Sequence, residues 1–355
     1  MSRRSVRSEP ALSARRCAPG LLVGLLLLAT PLRAQTELPV TIGAGLQTSF
    51  VHSSPRGGTS TDQLLINSVR LYVNGPVNDK IKFMFNTEYD GATNKVGVLD
   101  AVARLEMSPK FNIWAGRLLP PSDRSNLYGP YYAHHWAVYT DGVQDGYPFV
   151  FQGRDNGFVY WGDFAKKVKV SVGAFDGASA TGNAKILGAA RVQIDFWDAE
   201  SGYYLNGTYY GDKNLLAIGG ATQVQSGATA STADFLLEKK LPDGGVISIE
   251  SEYANYNRLG GYDSRYGKSQ GAYALASYLF PKVVGMGRFE ILGKYAKAQF
   301  THGTTPRYNQ KTSEANFNYV IKQFNARVMT FYKNTKFSAV KTNFWQVGVG
   351  LQVQM

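Results

Sequence analysis

FWQVGVGLQVQM (residues 344–355) decides the fold. Trp345, Val347, Val349, Leu351, Val353 and Met355 alternate with Gln346, Gly348, Gly350, Gln352 and Gln354 up to the last residue. A period of two is the signature of a strand with one apolar and one wet face. Chain ends usually fray unless a sheet ties them down. A terminal strand of this kind therefore predicts a partner for its free edge, and the obvious partner is the first strand of a closed barrel.

Working outward, the same texture recurs along the chain. Val40, Ile42, Ala44, Leu46 and Phe50 oppose Thr41, Gly43, Gly45, Gln47 and Ser49. Leu65, Val69, Leu71 and Val73 oppose Ser68, Arg70 and Tyr72, and the run stops at Asn74-Gly75-Pro76. Ile81, Phe83, Phe85 and Tyr89 oppose Lys82, Asn86, Glu88 and Asp90, and Leu99, Ala101, Ala103, Leu105 and Met107 oppose Asp100, Arg104 and Glu106. Short strands follow at FNIWAGRLLPP (111–121) and GRDNGFVYWGDF (153–164), then at 167–177 and 188–196. Eight more are expected at 215–225, 232–241, 245–257, 271–280, 287–299, 311–321, 324–333 and 343–354. About sixteen strands result, an all-β transmembrane antiparallel barrel, with a soluble β-sandwich as the alternative.

The connections support the barrel. If the first strand runs outward, NGPVND, SPK, GDFAK, PDGG, PKVVGM and KQF are short turns on the periplasmic side. HSSPRGGTS, GASATGNAKIL, SGATAST, RLGGYDSRYGKSQ, QFTHGTTPRYNQ and TKFSAVKTN are the outer loops. Short inner turns and longer outer loops are the outer-membrane pattern. The exception is FWDAESGYYLNGTYYGDKN (196–214), read as a folded periplasmic turn because a strand there would invert every later loop.

Between residues 119 and 155 lies a long loop rich in Tyr, Gly and charge. Loops of this length in compact domains are usually functional. Inside a barrel it would fold inward and narrow the lumen.

The first 34 residues show a basic stretch (Arg3, Arg4, Arg7, Arg15, Arg16), an apolar run from Leu21 to Ala29, and a small residue at Ala34. These are the zones of a cleaved secretory signal peptide. The sole cysteine, Cys17, precedes the apolar run, so it is not a lipid acceptor, and residues 35–355 carry no thiol for disulfides or metal. Without the leader the formal charge falls from +12 to about +7. A mean hydropathy of −0.22 fits a soluble protein or a barrel equally, since half of each barrel strand faces water.

Several stretches resemble the phosphate-selective porins of types O and P: INSVRLYVNGPVNDKIKFMFNTEYDG, LDAVARLEMSPKFNIWAGRLLPPSDR, GRDNGFVYWGD followed by VGAFDG, and the closing FWQVGVGLQVQM. The resemblance spans most of residues 35–355. It implies a sixteen-stranded outer-membrane channel, a homotrimer, and small hydrophilic solutes or ions, phosphate among them, as cargo. The family's last residue is commonly aromatic, whereas here it is Met355.

If the apolar faces meet lipid, the opposing faces line the pore. The expected pore-lining and constriction residues are Asp123, Arg124, Tyr128, Arg154 and Asp155 in the loop, with Arg70, Lys82, Arg104, Glu106 and Arg191 on the wall. Arg124 and Arg154 are either constriction charges or structural partners of Asp123 and Asp155. Within the loop acids outnumber bases, and no lysine falls between Pro120 and Asp155. A phosphate channel needs a surplus of Arg and Lys, so passive diffusion with at most a weak anion preference is expected. Tyr128, Tyr131, Tyr132 and Trp136 are expected to pack the loop. Trp161, Trp197 and Trp345 are expected in an interfacial girdle.

No catalytic residue, cofactor or metal is expected. A hydrolase would need a nucleophile beside a His base, and none of His52, His134, His135 and His302 lies in such a motif. Adjacent His134 and His135 would point opposite ways in extended chain and make a poor metal site. Lys and Arg are scattered without a basic stripe, so nucleic acid is not an expected partner. A barrel with a plugged lumen, serving adhesion or anchoring, remains the competing function.

Overall fold

The computed structural model describes residues 40–54, 59–143, 153–177, 185–260, 267–302, 305–338 and 343–355. The expected leader (1–34), residues 144–152 of the long loop, and parts of five expected outer loops lie outside the described residues. Sixteen strands form one closed antiparallel sheet. They are β1 Thr41–Ser53, β2 Thr61–Pro76, β3 Ile81–Asp90, β4 Lys95–Ser108, β5 Phe111–Leu118, β6 Asp155–Phe164, β7 Val168–Phe175 and β8 Leu187–Asp195. The second half comprises β9 Leu215–Gln225, β10 Ala228–Lys240, β11 Val246–Asn257, β12 Lys268–Val284, β13 Gly287–His302, β14 Thr305–Lys322, β15 Ala326–Phe337 and β16 Phe344–Gln354.

Every strand pairs with its sequence neighbours, and β1 closes the ring on β16. Phe50 lies opposite Val349 and Leu46 opposite Val353. At the seam Ala44 N donates to Met355 O at 3.1 Å, and Met355 N to Ala44 O at 2.9 Å. The alternation that ends on Met355 is thus consumed to its last residue, and both ends of the sheet lie at one rim, called here the terminal end.

Side chains are distributed inside out compared with a soluble protein. Leu46, Phe50, Val69, Leu71, Ile218, Ile291, Phe317, Val347, Val349, Leu351 and Val353 point outward, each about 40–50 % exposed. Inward stand Gln47, Arg70, Glu290, Lys294, Asn316, Arg327 and Gln352, all buried. An apolar girdle of this extent has no soluble counterpart and requires a hydrocarbon surround.

The periodic reading is displaced at two β-bulges. Thr48 pairs with Ile66 and Gln47 with Ser68, so Asn67 is the extra residue, and Leu64 and Ile66 face outward in place of Leu65. Asn86 pairs with Asp100 and Thr87 with Val98, so Leu99 drops out of the ladder and is fully buried while Val98 is exposed. A bulge inserts one residue and shifts the facing of what lies beyond it. Strands also run further than expected. β9 and β10 are joined by Ser226 and Gly227 alone, so most of SGATAST is strand, and PKVV of the expected turn PKVVGM belongs to β12. Trp161 corrects the expected girdle: it is buried and meets Trp114 edge-on at 5.8 Å on the inner side.

Residues 196–214 form no strand. Replacing outward-facing Val349, mid-strand in β16, by Arg is expected to destabilise the barrel in lipid vesicles by about 2–4 kcal/mol, the cost of a charge near the bilayer midplane. A urea-unfolding midpoint equal to wild type would mean that this face does not meet hydrocarbon.

Candidate functional site

The chain between β5 and β6 begins with a local instruction. Asp123 caps a five-residue helix, α1 (Arg124–Tyr128), its carboxylate accepting from Asn126 N at 2.8 Å. Asp is among the best N-cap residues because its side chain takes an orphan helical N–H. The helix stops at Gly129, whose φ of +65° suits glycine, and Pro130 opens a 3₁₀ turn to Tyr132.

From there the segment is fastened to strands all round the ring. Tyr128 donates to Glu250 on β11 at 3.0 Å, and Tyr131 to Ser68 O on β2 at 3.2 Å. Arg327 on β15 donates to Ala133 O at 2.7 Å, and Gln352 on β16 to Tyr131 O at 2.9 Å. His134 meets Glu290 on β13 at 2.7 Å, and Asp141 meets Lys294 at 2.7 Å. Contacts with β2, β11, β13, β15 and β16 are reachable together only from inside the closed sheet. Gly45 and Gly350 make room for the aromatics: a Cβ there would lie 2.6 Å from the Tyr131 ring and 2.5 Å from the Trp136 ring.

A second segment meets the first. Residues 196–214, between β8 and β9 at the terminal end, rise into the barrel and dock on the long loop. Leu205 N donates to Leu127 O at 3.2 Å and Gly207 N to Tyr132 O at 2.8 Å. Gly207 is required for this approach, since a Cβ would sit 2.9 Å from His134 N. Tyr203 donates to Leu119 O at 2.7 Å. Arg124 is the clasp: its guanidinium is fully buried, forks onto Glu200, and donates to Asn206 O at 2.9 Å. Glu238 on β10 holds the far turn, accepting from Thr208, Tyr209 N and Gly211 N at 2.7–2.8 Å.

Charge follows this geometry. Burial opposes ionisation of Glu200, but the adjoining Arg124 guanidinium outweighs it and holds the carboxyl below its usual range. Burial likewise opposes charge on His134, and Glu290, with Glu238 and Glu250 beyond, more than offsets it and raises its pKa. His135 goes the other way: burial, then Lys294 at 3.0 Å and the neighbouring His134, push it well below the imidazole value. The two adjacent imidazoles are therefore shifted in opposite directions by their neighbours.

The sequence-predicted residues separate into groups. Arg70, Tyr128 and Arg154 border a cavity of about 500 Å³, with Tyr72, Asp100 and Tyr204, that reaches the terminal rim at Thr41 and Met355. Arg70 pairs with Glu88 at 2.9 Å and Arg154 with Asp100 at 3.3 Å. Lys82 pairs with Glu106 at 2.6 Å, and Arg104 lies 3.9 Å from Glu106, all three partly exposed on β3 and β4. Arg191 is buried between Asp234 and Ser122 O. Asp123 is consumed by its cap, and Asp155 by the backbone N–H groups of Asn156 and Gly177. Of the two alternatives for Arg124 and Arg154, constriction charge or ion pair with Asp123 or Asp155, the second names the wrong partners: Arg124 pairs with Glu200 and Arg154 with Asp100. Glu200 and the tyrosines of YYLNGTYY were missed as part of the site; the six aromatics within 196–210 are the signal that could have found the segment as packed.

No protein-family model matches the sequence, and no curated relative matches it. Among solved structures, the chain is similar to an anion-selective porin from Comamonas acidovorans, at 13% identity and a TM-score of 0.60, over 90% of this chain and 100% of that one. OprB of Pseudomonas putida at high pH is similar at 9% identity and a TM-score of 0.60, over 89% and 94%. The in-vitro folded trimer form of OmpT, an outer membrane protein of Vibrio cholerae, is similar at 12% identity and a TM-score of 0.55, over 89% and 99%. The fold is that of the porins. Within this barrel the two inner segments join around Arg124.

Replacing Arg124 by Ala leaves Glu200 buried and unpaired, a loss of about 3–5 kcal/mol for a buried ion pair. Protease cleavage within 196–214 is expected to accelerate in the variant while the barrel keeps its heat-modifiable migration. Equal cleavage of both proteins would show that the clasp does not hold the segments.

Proposed function

We propose that this chain is an outer-membrane porin for passive diffusion of small hydrophilic solutes, with the terminal end in the periplasm. The observation that carries it is the inverted wall: apolar outside, and hydrogen-bonding and charged inside, around a closed sheet. The segment of residues 119–155 acts as the constriction, and Arg70, Tyr128 and Arg154, which border the cavity, are the polar groups a solute meets. The OmpT structure is a trimer, and we read this barrel as a homotrimer on that likeness. The basic, apolar and small-residue zones of residues 1–34 supply the export signal.

Selectivity is read from the interior charges. Among the described residues the buried side chains include thirteen Asp and Glu against eight Lys and Arg. Five of those eight cations, Arg70, Arg124, Arg154, Arg191 and Lys294, are held in ion pairs. A cation neutralised by a fixed carboxylate has little left for a passing anion. The Comamonas porin is anion-selective, and the phosphate-selective porins have the resembling motifs. This interior supports neither preference and leans towards cations.

One observation favours a second reading. The two inner segments join across the lumen, and if no path passes beside them the barrel is a plugged anchor. Reconstitution in a planar bilayer under a KCl gradient distinguishes them. Stepwise conductance is expected, with a K⁺ to Cl⁻ permeability ratio above one and below about ten, the ratio that about 1.4 kcal/mol gives. Absence of conductance would favour the anchor, and block of chloride current by micromolar phosphate would overturn the selectivity.

A further inference from the structure

The outer wall carries one feature that solute passage does not use. On β13 the outward positions run Phe289, Ile291, Gly293, Tyr295, Lys297, from the terminal end towards the opposite rim. On β14 they run Tyr319, Phe317, Ala315, Ser313, Lys311, and on β15 Val328, Thr330, Tyr332, Asn334, Lys336. Register aligns the three tops. Lys297 lies directly opposite Lys311, and Lys311 directly opposite Lys336. All three are exposed.

Directly opposed residues on one face have Cβ atoms about 4.5–5.5 Å apart, and like charges there are destabilising. Among the described residues, no exposed carboxylate on the neighbouring strands offsets them. The only fully exposed carboxylate on any described strand is Asp62 on β2, already paired with His52 at 2.7 Å. A row of three cations without a counter-charge on the described strands favours an anion from outside the chain.

Position indicates which anion. From Phe289 to Lys297 is eight residues, roughly 26 Å of strand at about 3.3 Å per residue. At a tilt of about 40° that is roughly 20 Å along the membrane normal, against an apolar band of about 25 Å. The lysines thus stand near the outer boundary of the band, Lys297 directly above exposed Tyr295, with exposed Tyr332 two and Phe317 three outward positions below Lys336 and Lys311. Acyl chains below and a charged head group above fit an amphiphilic anion lying on the wall. A second copy of this chain offers no exposed acidic patch on its described strands to take that place.

We propose that Lys297, Lys311 and Lys336 form a binding site for a phosphorylated lipid head group of the outer leaflet. The proposal rests on the membrane-spanning reading given above. Phosphate oxygens accept charge-assisted hydrogen bonds from ammonium groups, and several anionic groups on one lipid satisfy several lysines at once.

The test uses the full folded barrel, as wild type and as K297Q/K311Q/K336Q, with K80Q/K110Q/K322Q as a control at the other rim. Each is incubated in neutral detergent with diphosphorylated lipid A, its dephosphorylated form, or phosphatidylcholine, and retained lipid is counted by native mass spectrometry. Wild type and control are expected to retain the diphosphorylated lipid, and K297Q/K311Q/K336Q to lose affinity by about a hundredfold, the combined effect of three near-surface lysines. Equal retention by that variant, equal retention of the dephosphorylated lipid by wild type, or loss of an oligomer in the variant without lipid would each overturn the site. All three proteins are also floated with neutral vesicles. Failure of all to float would contradict the membrane reading and the site with it, whereas flotation with unchanged lipid retention would overturn the site alone.

Discussion

The seam between β1 and β16 is the constraint on which everything else depends. A strand edge facing hydrocarbon leaves unpaired N–H and C=O groups, each costing several kcal/mol, so a sheet in a bilayer must close on itself. Here closure runs from Ser53 opposite Gln346 to Gly45 opposite Gln354, and the reciprocal hydrogen bonds of Ala44 and Met355 complete it at the rim. Closure fixes an inside and an outside, and the period of two assigns every side chain to one of them. The lipid-facing wall and the polar lumen are therefore two readings of a single alternation.

Closure also creates a problem, because a ring of sixteen strands encloses more space than side chains fill. The chain fills it from both rims. One segment descends after β5 and another rises after β8, and they join through backbone hydrogen bonds and the Arg124–Glu200 pair. Such a pair contributes little net stability relative to an apolar replacement, but breaking it strands a buried charge. Its effect is to hold one arrangement of the two segments, and so one outline for the remaining cavity. Glycines at 45, 207 and 350 supply the clearance.

Much of the barrel was legible in the sequence because the dominant force writes a simple pattern: alternate residues face unlike solvents. The strand number and the closing role of Phe344–Met355 follow from it. Residues 65 and 99 were misplaced because a β-bulge leaves the composition unchanged and reverses the facing locally. The inner site was legible only in part. Arg124 and Arg154 were visible as charges in an aromatic loop, but their partners, Glu200 and Asp100, lie 76 and 54 residues away and are set by register, not by local spacing. Trp161 was placed at the interface because strand-end tryptophans often stand there, and inward packing against Trp114 and Tyr203 decided otherwise.

The central claim is that alternate residues of each strand meet water and hydrocarbon. Single cysteines introduced along β3 and β4 of a chain lacking Cys17, at inward, partly exposed Lys82, Arg104 and Glu106 and at outward Phe83, Ala103 and Leu105, can be probed in vesicles with a small water-soluble thiol reagent. The account predicts labelling that alternates residue by residue, fast at the inward positions and slow at Phe83, Ala103 and Leu105. Uniform labelling along the strands, or the opposite phase, would contradict it.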